Sequence, residues 1–244
     1  EFFLKVLDIN PDHNEAKLNA KSTCNELGIK FNEEGNHNAA LKYFKVLTVL
    51  GPSESTGFYN MGSTYIKLKD FKNAETPFKE CLRIDPKDEL AHANLGTVYQ
   101  NLEQIEKSLQ CYNEAIKINP ENPNNYYNIG IAFKHAERVS EAEENYRKAI
   151  DLDPKHTRAH HNLALIYEER GQVKEALNRA KKALEFETSH PDVNYSIGIM
   201  NLLLGNFKEG WEHYEYRWKA WDDKEKVEWP FPEKPVWKGE KGKR

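Results

Sequence analysis

Prolines at 52, 86, 120 and 154 stand 34 residues apart, and so regular a step restricts the chain to an architecture built from one repeated unit. Other positions keep the step. Apolar-small pairs recur at Leu27-Gly28, Met61-Gly62, Leu95-Gly96, Ile129-Gly130, Leu163-Ala164 and Ile197-Gly198. A ring follows three residues later in five repeats, at Phe31, Tyr65, Tyr99, Phe133 and Tyr167. Small residues at Ala40, Ala74, Ser108, Ala142, Ala176 and Gly210 each precede by four an aromatic at Phe44, Phe78, Tyr112, Tyr146 and Tyr214, with Ala180 the exception. Six repeats result: 21–54, 55–88, 89–122, 123–156, 157–190 and 191–224.

Within each repeat, apolar residues at three- and four-residue spacing describe two amphipathic helices, A and B, joined by a short turn. Gly35, Gly171 and Gly205 mark A-to-B turns, and Pro86, Pro120 and Pro154 end B helices because proline cannot continue the hydrogen-bond ladder. Small residues are expected where helix backbones approach, so that a bulky side chain at Gly96 or Ala142 would overpack the contact by about 1 to 3 kcal/mol. One hairpin cannot bury its own apolar faces, and neighbours must stack. Two irregularities stand out. Pro11 and Pro52 are seven residues further apart than the period, which makes 14–20 an insertion, as extra helix or a wider turn. Pro77 falls inside a B helix, where a mild kink is expected.

The period and signature positions resemble the tetratricopeptide-repeat (TPR) family over residues 21–224. The resemblance implies an all-α solenoid of stacked antiparallel helix pairs forming a right-handed superhelix, with the A helices lining a concave surface. It also implies a scaffold that holds a protein or peptide there. Residues 1–20 are read as the end of a preceding repeat plus the insertion. GWEHYEYRWK and PVWKGEKGK resemble the junction in bacterial TPR proteins that continue into a glycosyltransferase-like domain, which makes 225–244 a linker before a further domain. The other reading is an unrelated extended tail whose Trp229, Phe231, Val236 and Trp237 must find a surface to cover.

On the inner face of helix A, asparagine recurs at Asn60, Asn94, Asn128 and Asn162, between Glu26 and Ser196 at the ends. A carboxamide offers one acceptor and two donor hydrogens and can pair with the C=O and N–H of an extended peptide whatever its side chains. The same ladder occurs in O-GlcNAc transferases, which the chain resembles at these residues and in its repeats. The alternative is that the amides bridge neighbouring helices. Tyr59, Tyr127, His161 and Tyr195 precede the ladder and suit either ligand stacking or internal packing. Elsewhere on this face Ser63, Lys67, Thr97, Gln100 and Asn101 are polar, whereas Ile131, Leu165, Ile199, Leu202 and Leu203 are apolar. The groove should therefore offer polar contacts in its first half and apolar anchors in its second.

Composition narrows the remaining classes. A net charge of -4 over 244 residues argues against a nucleic-acid binder, and no apolar run is long enough to span a membrane. The three cysteines, Cys24, Cys81 and Cys111, form no C-x-x-C pair and fit a reducing compartment, the cytoplasm. His156, His160 and His161 lack a carboxylate or cysteine to complete a metal set, and neither metal nor cofactor is expected. No phosphate loop, nucleophile elbow or H-E-x-x-H sequence supports catalysis. Three functions follow as expectations: a peptide-binding scaffold, the substrate-recognition arm of a glycosyltransferase-like enzyme, and self-association through end faces such as Phe2, Phe3 and Leu4.

Overall fold

In the computed structural model, residues 6, 9–187 and 189–220 are described. The tail 225–244 and Phe2, Phe3 and Leu4 lie outside them. The described chain is helical, in consecutive antiparallel pairs: α1 (Asn14–Glu33) with α2 (His37–Leu50), α3 (Ser55–Lys67) with α4 (Phe71–Ile84), and α5 (Glu89–Asn101) with α6 (Ile105–Ile118). There follow α7 (Pro123–His135) with α8 (Val139–Leu152), α9 (Thr157–Glu169) with α10 (Val173–Phe186), and α11 (Pro191–Leu203) with α12 (Phe207–Tyr214) and the short α13 (Arg217–Ala220). The first three pairs fall in one compact unit, Glu1–Glu121, and the rest in a second, Asn122–Arg244.

The 34-residue step is kept by the helix starts themselves, since A helices begin at 55, 89, 123, 157 and 191. The insertion is resolved as helix. α1 begins seven residues before the repeat boundary, and its buried Ala16, Ala20, Cys24 and Gly28 form one stripe at four-residue spacing. Pro77 is buried inside α4, which continues to Ile84.

Each A-to-B turn closes in one way. The residue after the αL position donates its backbone N–H to the carbonyl five residues back, as in Asp70 to Tyr65 at 2.9 Å and Arg138 to Phe133 at 2.9 Å. This is the bond that ends a helix in a left-handed cap. Gly35, Gly171 and Gly205 supply the positive φ as expected, but Lys69, Glu103 and Glu137 adopt it at φ 57 to 59° with no glycine.

Packing corrects one expectation. The in-phase glycines of the first four A helices do not chiefly serve backbone approach: each lies under the ring that the same repeat places sixteen residues later. A Cβ on Gly62 would stand 2.8 Å from the Phe78 ring, one on Gly96 2.8 Å from Tyr112, and one on Gly130 2.6 Å from Tyr146. A Cβ on Gly28 would meet the Phe44 ring in the same manner. Those four rings are essentially inaccessible to solvent. The fifth repeat, with Ala164 in place of glycine, has Ala180 in place of the ring, and both are buried in one cluster with Ala176, Ala183 and Val193. In the sixth, α12 stops at Tyr214, and Gly198 instead receives the backbone of that residue, whose nitrogen would be 2.5 Å from a Cβ. Backbone approach is closest in that last hairpin, and a Cβ on Gly57 would also stand 3.2 Å from the Thr48 backbone nitrogen.

This pairing is testable by exchange. Gly96→Ala should lower stability by about 1 to 3 kcal/mol through overpacking. Ala180→Phe should be destabilising alone and be relieved when combined with Ala164→Gly, giving a coupling term in a urea-denaturation double-mutant cycle.

Candidate functional site

The ladder asparagines are half-buried on their A helices and mostly engaged across them. Asn60 donates its amide to Asn25 Oδ1 at 2.9 Å, tying α3 to α1. Asn94 donates to the Tyr59 hydroxyl at 3.0 Å, tying α5 to α3. In the second unit the same register joins His161 Nε2 and Ser196 Oγ at 2.9 Å, between α9 and α11. Asn162 donates to the Tyr146 hydroxyl at 3.3 Å. The first three of these bonds link residues 35 apart, and the place 35 residues before Asn128 is Ala93, which has no polar side-chain atom. Among the described residues Asn128 therefore lacks such a bridge.

The aromatics beside the ladder are also packed. Tyr59 meets Phe78 edge-on with ring centroids 5.9 Å apart, Tyr127 packs on His156 at 4.9 Å, His161 on His190 at 6.2 Å, and Tyr195 on Tyr214 at 5.5 Å. Lys67 and Asn101 are exposed ends of A helices in the first unit, and Asn101 bonds the Thr97 carbonyl at 2.8 Å. They are not brought to the residues that follow.

The second unit gathers Tyr127, Ile131, His161, Asn162 and Leu165 around two depressions that share Asn162. One, of about 190 Å³, lies between α7 and α9, with Ile131, Leu165 and Tyr146 as apolar surface and Lys134, His135 and Glu169 around them. Lys134 and Glu169 form an ion pair between these helices. The other, of about 390 Å³, is bordered by Tyr127, Arg158, His161, Asn162, His190 and Asp192 from the starts of three successive A helices. Sequence reading missed Arg158, His190 and Asp192. The signal was available in the register: the column 56, 90, 124, 158 and 192 reads Thr, Leu, Asn, Arg, Asp and becomes charged only in this unit.

Histidines hold much of this face. His156 Nδ1 accepts from Ala159 N at 3.2 Å as the cap of α9. His160 Nε2 donates to the Pro154 carbonyl at 3.1 Å, as His92 does to Pro86 at 3.1 Å. His213 Nδ1 bonds Asn194 Oδ1 at 2.9 Å. Burial lowers the pKa of His156, His160 and His213, and lowers that of His161 to about 4, with the neighbouring His190 adding to the effect. Burial also pushes the Cys81 thiol up to about 12 and Cys111 to about 11, which keeps both protonated and unreactive. Among the described residues no group of three or more His, Cys, Asp or Glu is placed to hold a metal ion, and no helix is long and apolar enough to cross a membrane.

Paired helices of constant period with an inner face of this kind define a helical-repeat protein. Repeats within it are tetratricopeptide repeats: family models described as Tetratricopeptide repeat match residues 56–88 and 124–188, and one described as TPR repeat matches 101–135. No curated protein matches the chain. Among solved structures it is similar to MamA, at 25% identity and TM-score 0.60 over 66% of this chain and 94% of that one. PilF of Pseudomonas aeruginosa superposes with TM-score 0.73 at 13% identity, covering 85% and 94% of the two chains. YrrB, described as a TPR protein with an unusual peptide-binding site, gives 0.59 at 21%, covering 84% and 98%. These matches do not extend the resemblance to O-GlcNAc transferases or to a glycosyltransferase-like tail.

Two outcomes follow. Asn94→Ala should lower stability by about 0.5 to 1.5 kcal/mol, the net worth of one hydrogen bond, while Asn128→Ala, with no bridge to lose, should leave the urea midpoint unchanged. Second, a histidine whose folded pKa is depressed contributes stability present above its unfolded pKa of about 6.5 and lost as pH falls through the folded value. The second unit should therefore weaken on acidification from pH 6.5 towards about 4, the value for His161. Replacing His156 by Asn, a cap acceptor at any pH, should reduce that loss in a melting series.

Proposed function

We propose that the chain is a non-catalytic interaction scaffold whose second unit holds an extended segment of a partner protein along α7, α9 and α11. The observation that carries the reading is the convergence of five inner-face residues on two adjoining depressions, with an apolar floor at Ile131 and Leu165. A bulky aliphatic side chain of the segment would fill the first depression. The Asn162 amide, fixed by Tyr146, would face the passing backbone. YrrB shows that this fold can accommodate a peptide-binding site. The first unit, whose Asn60 and Asn94 tie neighbouring A helices together, would serve as structural support. The same groove would select an acceptor if the chain were the arm of a glycosyltransferase-like enzyme.

A photo-crosslinking side chain placed at exposed His135 or Glu169 should capture a partner whose crosslinked peptide is extended and carries an aliphatic residue, and one at Glu141 on the start of α8 should not. Leu165→Gln should weaken binding of that partner about tenfold, as expected for an apolar contact of about 1.4 kcal/mol. Equal capture from both faces, or unchanged affinity in the variant with an intact melting curve, would overturn the groove.

A further inference from the structure

We infer that the depression at Arg158, His161 and His190 is a carboxylate-binding subsite, so that the segment held by the second unit carries an acidic side chain beside its aliphatic anchor. This deepens the groove reading and rests on it. Arg158 is exposed at the start of α9, borders the depression and, like Arg179 elsewhere in this unit, makes no ion pair among the described residues. A guanidinium left open at the border of a concavity is a two-pronged donor for a carboxylate. The Nδ1 atom of His190 is buried and has no hydrogen-bond partner among the described residues. As a residue, His190 borders the same space. His161 lies across from it, with ring centroids 6.2 Å apart, so two imidazoles and a guanidinium converge where three A helices begin.

The groups facing His161 are Arg158 on its own helix, Tyr127 from α7, and His190, Asp192 and Ser196 from α11. Burial and His190 hold the imidazole neutral, and Asp192 opposes them weakly. A ligand carboxylate seated between Arg158 and His161 adds a second negative charge, which favours the imidazolium. Binding is thereby coupled to proton uptake. Affinity should rise as pH falls, for as long as the ligand carboxylate itself stays ionised. Asp192 repels that ligand. It gives the site a residue whose neutralisation should act opposite to that of Arg158.

The test uses blocked heptapeptides, each with one leucine and one glutamate at every relative spacing, against counterparts with glutamine for glutamate. Binding to the full chain is followed by the nuclear magnetic resonance shifts of the His161 and His190 imidazoles and of the Ile131 and Leu165 methyls. The best glutamate peptide should bind about tenfold more tightly than its glutamine counterpart, raise the His161 titration midpoint, and tighten between about pH 7.5 and pH 5.5. Arg158→Gln should erase most of that difference, and Asp192→Asn should enlarge it, both with unchanged melting. Equal binding of the two peptide sets, with methyl shifts but no imidazole shifts, would overturn the carboxylate subsite and leave the aliphatic groove standing. Weakening as pH falls, or no binding by any glutamate peptide, would also overturn it, and the crosslinking experiment would then decide the groove alone.

Discussion

Every hairpin but the last two is built on one contact: a ring from helix B resting on a helix-A glycine that has no Cβ to hold it off. The ring brings the apolar area that a short hairpin needs, and the missing methyl lets it enter without moving the helices apart. Because ring and glycine are sixteen residues apart in one repeat, the contact also fixes the register of A against B. The Ala164–Ala180 pair shows that the condition is on their sum, since a methyl on one side is matched by removal of the ring from the other. Stacking of successive hairpins, and the positions of all inner-face side chains, depend on that register being kept.

Much of this was legible from residue spacing alone. The prolines and apolar-small pairs located six hairpins, and the helix starts at 55, 89, 123, 157 and 191 keep the same step. What spacing could not show was the partner of each glycine, because closeness across a hairpin is a property of three-dimensional packing. Nor did it mark the turns at Lys69, Glu103 and Glu137. Their left-handed conformation is imposed by the helix-ending hydrogen bond and tolerated at the surface, leaving no glycine in the sequence as a sign.

The candidate site was legible in part for a related reason. Asn162, Tyr127, His161, Ile131 and Leu165 repeat in phase with other inner residues, so periodicity finds them. Arg158, His190 and Asp192 sit at or just after helix starts, where a polar residue ordinarily satisfies the first turn. Their type alone therefore says little. His156 does cap α9, whereas His190, one period later, makes no side-chain cap. The same column of the repeat thus serves the backbone in one hairpin and borders a concavity in the next.

The two readings of the asparagines, helix bridge and ligand contact, are not exclusive. A side-chain amide has two donor hydrogens and an acceptor oxygen, and the bridge from Asn94 to Tyr59 uses one hydrogen. That bond also holds the side chain in one rotamer, which removes part of the ordering cost that a later contact would carry. A bridged amide is consequently a better anchor for a peptide backbone than a free one, provided its remaining groups reach solvent. Asn128, without a bridge, would have to be ordered by the ligand itself. Chemical identity along the ladder thus does not imply equal contribution, and in the groove proposed above Asn162, already fixed by Tyr146 beside both depressions, is the rung at which structural and binding roles would coincide.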